Sequence, residues 1–249
     1  MLTEERQRYI KTALTQQPIV TAKDLMTALQ ASESTIRRDL AELEASGVLR
    51  RIHGGAERLS QPQSEPSVQE KATQALQEKQ WIAQAAAAMI APHSTLFLDA
   101  GTTTAQLIPL LQDLAVTVVT TGVDNASQLA DYGIPTHMPG GRIKAATKAT
   151  VGASTVAALE TLHFDIAFIG TNGVHPKFGL TTPDAEEAQV KRAVIAHARQ
   201  TVILADPAKF GQVSFAQFAP LTTGLLLTTS LAGLSPDYAA HSNIQEVHP

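Results

Sequence analysis

The stretch from residue 32 to residue 56, SESTIRRDLAELEASGVLRRIHGGA, constrains the fold more tightly than any other part of the chain. Ser32 can cap a helix, because its hydroxyl accepts one of the N–H groups that a first turn leaves free. Ile36, Leu40 and Leu43 then recur at helical spacing and form one apolar stripe. Gly47 accepts the left-handed conformation that ends such a helix. The face opposite the stripe carries Ser34, Thr35, Arg37, Arg38 and Glu42. Upstream, Thr21-Ala22-Lys23-Asp24 has the form of a capping box and opens a short helix through Leu29, with a tight connection at Gln30-Ala31. An earlier helix, about Thr3 to Leu14, offers Ile10, Ala13 and Leu14 to a three-helix core. Downstream, Val48 to Gly55 alternates briefly and ends in a glycine pair, the pattern of a hairpin. Two short helices joined so closely make a helix-turn-helix, and the hairpin beside them makes a wing.

Such a helix suits a DNA major groove. Arginine grips O6 and N7 of guanine as a bidentate pair, and hydroxyls reach bases or phosphates. Ser34, Thr35, Arg37 and Arg38 are therefore expected to meet DNA, with Arg50, Arg51 and His53 of the wing facing the phosphate backbone. The competing explanation is a plain surface helix whose charges pair within it, as Arg38 and Glu42 can at i, i+4. It accounts for the arginines alone. The complete order of capped helix, tight turn, capped helix, glycine stop and basic hairpin is consistent at every step with DNA binding. The run Ser-Glu-Ser-Thr-Ile-Arg-Arg-Asp-Leu, then Leu-Glu, then Gly, then Arg-Arg-Ile-His-Gly-Gly-Ala, resembles the DNA-binding signature of the DeoR family of bacterial transcriptional repressors. The resemblance implies a winged helix-turn-helix over residues 1–58, operator DNA as partner, and a sugar-phosphate-sensing domain behind it.

The 249 residues suffice for two domains, and the net charge of −4 at first argues against nucleic acid. Its distribution argues otherwise. Residues 1–58 hold nine Lys or Arg against eight Asp or Glu, and the remainder holds ten against fifteen, so the two parts carry +1 and −5. Arg37, Arg38, Arg50, Arg51 and Arg58 concentrate the basic charge in the third helix and the wing. A module so weakly charged should hold DNA modestly alone, so a homo-oligomer, dimer or tetramer, is expected to pair modules on the operator. With no cysteine there is no disulfide framework, thiol nucleophile or Cys-based metal site, and no metal or cofactor is expected. The opening MLTEERQRYI lacks the apolar run of a signal peptide, and no apolar segment reaches the roughly 18 residues of a membrane span. A cytoplasmic protein without a membrane partner is the expectation.

Residues 59–67, which include the Ser-, Gln- and Pro-rich LSQPQSEP, read as a linker. Gln69 to Ile90 reads as one helix, with Trp81, Ile82, Ala85, Met89 and Ile90 at helical spacing and Pro92 ending it. From Thr95 the pattern becomes strand and helix in alternation. Strands are expected at 95–98, 116–120, 134–138, 165–170, 201–205 and 225–229, and helices at 102–111, 124–130, 154–162 and 184–198. The strands are continuous apolar runs, as in a parallel sheet buried on both faces. The fold class is therefore α/β, a winged helix-turn-helix followed by a parallel α/β domain over 68–232, with a loose tail at 233–249.

Ligands of such sheets bind outside the carboxyl ends of the strands. Asp99-Ala100-Gly101-Thr102-Thr103-Thr104 places a glycine and three hydroxyls at a helix start, where free N–H groups favour an anion. A plain capped helix is the alternative, although capping needs one hydroxyl and not three. Thr120 and Thr121 end the next strand, and Gly140-Gly141-Arg142 ends the third. In Gly170-Thr171-Asn172-Gly173 the Asn and Thr suit sugar hydroxyls, and Lys209, in Asp206-Pro-Ala-Lys-Phe-Gly, can close over a phosphate. For the TTG and GGR turns taken singly, an ordinary turn is the better explanation. Together, the glycines, hydroxyls, amides and few cations favour a small polyhydroxylated anion.

The segments DAGTTT, TTG, GGR, FDIAFIGTNG and ADPAKFG also resemble the successive signatures of the DeoR-family effector domain, which is related to sugar-phosphate isomerases. Thr121 departs from that pattern, where Asn is more usual. GLTTPDAEEAQVKR and ADPAKFGQVSFAQFA look similar to the fructose-operon repressors of Gram-positive bacteria, which implies fructose 1-phosphate as effector, with tagatose 6-phosphate and fructose 1,6-bisphosphate as its nearest competitors. The rival reading is a sugar-phosphate isomerase with a DNA-binding appendage. Isomerisation needs a base carboxylate beside the substrate carbon. The GTNGV stretch offers Asn172 and no acid, leaving Asp99 and Asp206 as candidate bases. An activator rather than a repressor is the other alternative.

Overall fold

The computed structural model describes residues 3–16, 19–45, 48–52, 54–58 and 68–248. They form two compact units, Met1–Gln63 and Ser64–Pro249.

In the first unit α1 (Thr3–Gln16), β1 (Ile19–Thr21), α2 (Ala22–Leu29) and α3 (Glu33–Ala45) precede the strands β2 (Leu49–Ile52) and β3 (Gly55–Arg58). Thr21 caps α2, its hydroxyl accepting the Asp24 N–H at 3.1 Å and donating to the Asp24 carboxylate at 2.7 Å. Gln30 ends α2 in the left-handed region at φ 48°, which makes the connection tight. The Ser32 hydroxyl accepts the Thr35 N–H at 3.3 Å and starts α3. Ile36, Leu40 and Leu43 are buried with Ile10, Leu14, Leu25 and Leu29. The hairpin differs from its sequence reading: Gly54 lies in its turn, while Gly55 opens the second strand, residues 55–58. β1 adds a third strand, in the order β1-β3-β2. Gly47 and the linker residues 59–67 lie outside the described residues.

The second unit opens with α4 (Val68–Thr73) and α5 (Leu76–Ala87), not one helix. The break falls at Ala75, whose φ of 50° is left-handed. A seven-stranded parallel sheet follows, built from β4 (Thr95–Leu98), β5 (Thr117–Thr120), β6 (Thr136–His137), β9 (Phe164–Gly170), β12 (Ala198–Leu204), β14 (Leu225–Thr228) and β15 (Ile244–Glu246). Between them lie α6 (Thr102–Ala105), α7 (Val123–Asp131), the hairpin of β7 (Arg142–Lys144) and β8 (Ala149–Val151), α8 (Ala153–Leu159), β10 (Gly173–His175), β11 (Gly179–Thr182), α9 (Ala185–His197), β13 (Ala216–Ala219) and α10 (Pro236–Ala239). The helix expected through Leu111 is only α6, followed by a 3-10 turn at Ile108–Leu110.

Both sheet faces are covered, as continuous apolar strands require. Leu96, Leu98, Ile166 and Phe168 face Ile82, Ala86 and Leu129 on one side. Phe97, Ala167 and Ile169 face Leu159, Ala188 and Val194 on the other. The strand order is β15-β14-β12-β9-β4-β5-β6. From β4 the chain winds outward to β5 and β6, then returns to place β9 on the opposite side of β4. The carboxyl ends of β4 and β9 therefore flank a topological switch point, where sheets of this kind open a crevice.

The segment expected as a loose tail is folded. Tyr238 is 3% exposed, and its hydroxyl donates to Val174 O at 3.0 Å and accepts the Gly211 N–H at 2.9 Å. Burial raises the pKa of this hydroxyl. β15 extends the sheet beside β14, with Leu227 opposite Gln245. A few anchors, Tyr238, Ile244 and Val247, suffice to dock a segment of otherwise polar composition.

Candidate functional sites

The first candidate is the outer face of α3. Ser34, Arg37 and Arg38 are exposed and Thr35 is half-buried, on the side opposite Ile36, Leu40 and Leu43. The Ser32 hydroxyl lies 2.9 Å from those of Ser34 and Thr35, so the helix start presents linked hydroxyls. The helix does hold an ion pair, but a different one from Arg38 with Glu42: Arg37 meets Glu33 at 2.6 Å. Both partners are mostly exposed, and such pairs contribute about 0–1 kcal/mol and weaken with salt. Glu42 instead accepts from Gln7 Nε2 at 2.8 Å. Arg51 is exposed on β2, its backbone N–H donating to Glu44 at 2.9 Å. Arg50 lies on β2 opposite Glu57. His53 lies outside the described residues.

Asp39 is a residue that periodicity misses. It is 1% exposed on α3, where Arg6 of α1 meets it at 2.6 Å from Nε and 3.0 Å from Nη2. The hydrogen bond raises the Arg6 pKa. A bidentate pair of this kind fixes geometry as well as charge, so it locks the roll of α3 against α1.

The second candidate is a cleft at the switch point. Of the residues picked from the sequence, Asp99, Gly101, Thr102, Thr103, Thr121, Asn172 and Lys209 line it. The others do not. Thr104 is fully buried, its hydroxyl spent on Asp99 O at 2.6 Å and Gly101 O at 2.7 Å. Thr120 is likewise buried and accepts the Gly122 N–H at 3.2 Å. Gly141 is small for packing, since a Cβ there would collide with Thr155 Oγ1, and Gly173 is pressed against Gln212 O and Thr181 Oγ1. Arg142 is exposed on β7 and paired with Glu186. α6 has a single turn, so the anion-binding capacity at its start rests on N–H groups and the hydroxyls of Thr102 and Thr103 rather than on a long helix dipole.

Sequence reading passed over several lining residues: Lys71, Gln74, Lys79, Thr147, Thr150 and Lys191. Lys191 is 6% exposed and ion-paired with Asp99, and it also donates to Gly170 O at 3.0 Å. Asp99 accepts the N–H groups of Ala100 at 3.0 Å and Gly170 at 2.9 Å. Every oxygen of this carboxylate is thus engaged, and it is poorly placed to act as a base. Asp206 caps its own turn by accepting the Ala208 N–H at 3.1 Å. Glu187 accepts from Lys144 at 3.1 Å, Thr147 at 2.7 Å and Thr182 at 3.2 Å, tying the β7–β8 hairpin to α9. Asp184 caps α9 through the N–H groups of Glu186 and Glu187. Burial alone would raise the Asp184 pKa, but those N–H bonds and Lys144 hold it below the usual carboxylate value. A lysine on the apolar face of α9 was the available signal for Lys191. Glu187 reads from the sequence as a complement to the helix start, and its contacts with Lys144 and Thr147 are not legible there, because those partners lie 43 and 40 residues away.

Comparison with known proteins agrees with both halves. Residues 6–62 match the DeoR-like helix-turn-helix domain and residues 74–230 the DeoR C terminal sensor domain. The uncharacterized HTH-type transcriptional regulator FruR of Bacillus subtilis (strain 168) is 39% identical over the whole of both chains. The lactose phosphotransferase system repressor of Streptococcus mutans is 32% identical, covering 92% of each chain. Among solved structures, ribose 5-phosphate isomerase A of Methanocaldococcus jannaschii is 21% identical over 53% of each chain, with a TM-score of 0.40. The full-length match is to regulators and not to enzymes, and the chain belongs to the DeoR family of transcriptional regulators.

Proposed function

We propose that this protein is a cytoplasmic repressor of a sugar-catabolism operon that leaves its operator when a sugar phosphate, fructose 1-phosphate in preference, fills the switch-point cleft. The observation that carries the reading is the cleft itself, where the N–H groups and hydroxyls of Gly101, Thr102 and Thr103, the Asn172 amide and the Lys209 ammonium converge. These groups suit a phosphate and the hydroxyls of one sugar. Repression of sugar genes is supported by the name of the S. mutans relative, and fructose by the resemblance of GLTTPDAEEAQVKR and ADPAKFGQVSFAQFA to fructose-operon repressors. Screening phosphorylated hexoses by thermal shift tests the reading. A ligand at about 100 times its Kd adds about 2.7 kcal/mol. A screen in which no sugar phosphate raises the melting temperature contradicts it.

Ser34, Thr35, Arg37, Arg38, Arg50, Arg51 and His53 are proposed to face DNA. Arg37→Ala or Arg38→Ala should weaken operator binding by about 1–3 kcal/mol where the arginine reads a guanine. Stability should change little, since an exposed helical arginine is replaced. Gel shifts on both variants check this, and unchanged affinity in both removes α3 as the recognition helix.

A dimer or tetramer on an operator with repeated half-sites is also expected, since one module carries only +1. Light scattering at micromolar concentration should show it. A monomer that binds a single half-site tightly would contradict it.

A further inference from the structure

Among the described residues, three carboxylates line the cleft, and their surroundings differ. Asp99 is spent on Lys191 and two N–H groups. Asp206 caps its own turn and lies 3.9 Å from Lys209. Glu187, in the first turn of α9, is 9% exposed. Its Oε1 accepts from Thr147 at 2.7 Å and from Lys144 at 3.1 Å. That ammonium is divided, since it also lies 3.3 Å from Asp184. Among the described residues, Oε2 is met only by the hydroxyl of Thr182, at 3.2 Å. The same hydroxyl lies 3.3 Å from Oδ1 of Asn172, and Thr182 is fully buried. It has one proton for two acceptors, so one of the two oxygens is always short of a donor. Glu187 and Asn172 both line the cleft, where a ligand can supply that donor.

Sugar hydroxyls are such donors. A phosphate is not: its oxygens accept, and it carries about −1.5 to −2 charges near neutral pH. Beside Glu187 it would meet a like charge, with Lys144 and Thr147 already given to the carboxylate. We propose that Glu187, with Asn172, holds the hydroxyl-bearing end of the ligand and makes the cleft select a sugar monophosphate over the bisphosphate of the same sugar. Specificity of this kind comes from a repulsive element as much as from an attractive one. The inference rests on the sugar-phosphate reading of the cleft and adds an orientation to it. The single phosphate lies toward Thr102, Thr103 and Lys209, and the hydroxyls lie toward α9.

The test is calorimetric titration of the full chain with fructose 1-phosphate and with fructose 1,6-bisphosphate. The parent should bind the monophosphate at least about tenfold more tightly, the worth of one hydrogen bond to a charged group. Glu187→Gln keeps the shape and an acceptor for Lys144 and Thr147 but drops the charge. It should weaken the monophosphate about tenfold and leave the bisphosphate unchanged or tighter, so that the preference closes. A merely structural role would weaken both sugars alike. Asn172→Asp, at a half-exposed position, adds a charge at the same end and should widen the preference. It decides the matter if Glu187→Gln does not fold. A parent without the preference, a folded Glu187→Gln that keeps it, or an Asn172→Asp that fails to widen it when it must decide, overturns the inference and leaves the sugar-phosphate reading intact. Failure of the parent to bind either sugar overturns this inference together with the fructose 1-phosphate reading beneath it.

Discussion

Replacing Lys191 by alanine is expected to lower the stability of the sensor unit by about 3–5 kcal/mol, the usual cost of removing one partner of a buried ion pair. The side chains of Lys191 and Asp99 are 7% and 9% exposed, so water cannot take the place of the missing ammonium. Asp99 would keep the N–H groups of Ala100 and Gly170 but no counter-charge. Lys191 also lies over the Phe218 ring, 5.4 Å from its centroid, so some packing is lost with it. For a unit of this size each kcal/mol moves the melting temperature by about 2–4 °C, and a fall of about 10 °C is expected. The double variant Lys191→Met with Asp99→Asn removes both charges and should recover most of that loss. Thermal unfolding followed by circular dichroism measures all three proteins. A single variant within about 2 °C of the parent would mean that the pair contributes nothing and that the ends of β4 and β9 are held some other way.

That pair marks the boundary of what the sequence could disclose. The α3 helix, its Ser32 start and its apolar stripe are local, and local pattern sufficed for them. The Thr21 cap and the tight turn at Gln30 were legible for the same reason. So were the central strands, because burial on both faces leaves an apolar run that nothing else in the chain mimics. The left-handed Ala75 that splits α4 from α5 was not, since neither glycine nor proline marks it. The sheet of β10, β11 and β13 was missed because its short strands pair across an intervening helix. In the cleft, the turns after the strands were readable as glycines and hydroxyls. Which hydroxyls remained available was not: Thr103 reaches the cleft while Thr104, its neighbour, is consumed by two carbonyls. Lys191 and Asp99 are 92 residues apart, and Arg6 and Asp39 are 33 apart, so only the fold reveals them as partners.

The largest functional effect expected is the release of operator by ligand. A ligand shifts such an equilibrium only by binding one state better than the other. A coupling of about 1–3 kcal/mol corresponds to an affinity for operator lowered about 5- to 150-fold. Thr103 is 8% exposed at the cleft wall, and Lys209 is partly exposed beside Asp206. Thr103→Ala and Lys209→Ala should each blunt the release while the protein still binds operator, giving a repressor that stays on. Tagatose 6-phosphate and fructose 1,6-bisphosphate serve as the competing sugars.

The most direct test is fluorescence anisotropy of a labelled duplex, selected by the protein from a random pool, titrated with fructose 1-phosphate and with fructose. The account predicts release by the phosphorylated sugar within that 5- to 150-fold range and no release by fructose at the same concentration. Equal release by the two sugars, or release by neither fructose 1-phosphate nor any other sugar phosphate, would contradict it.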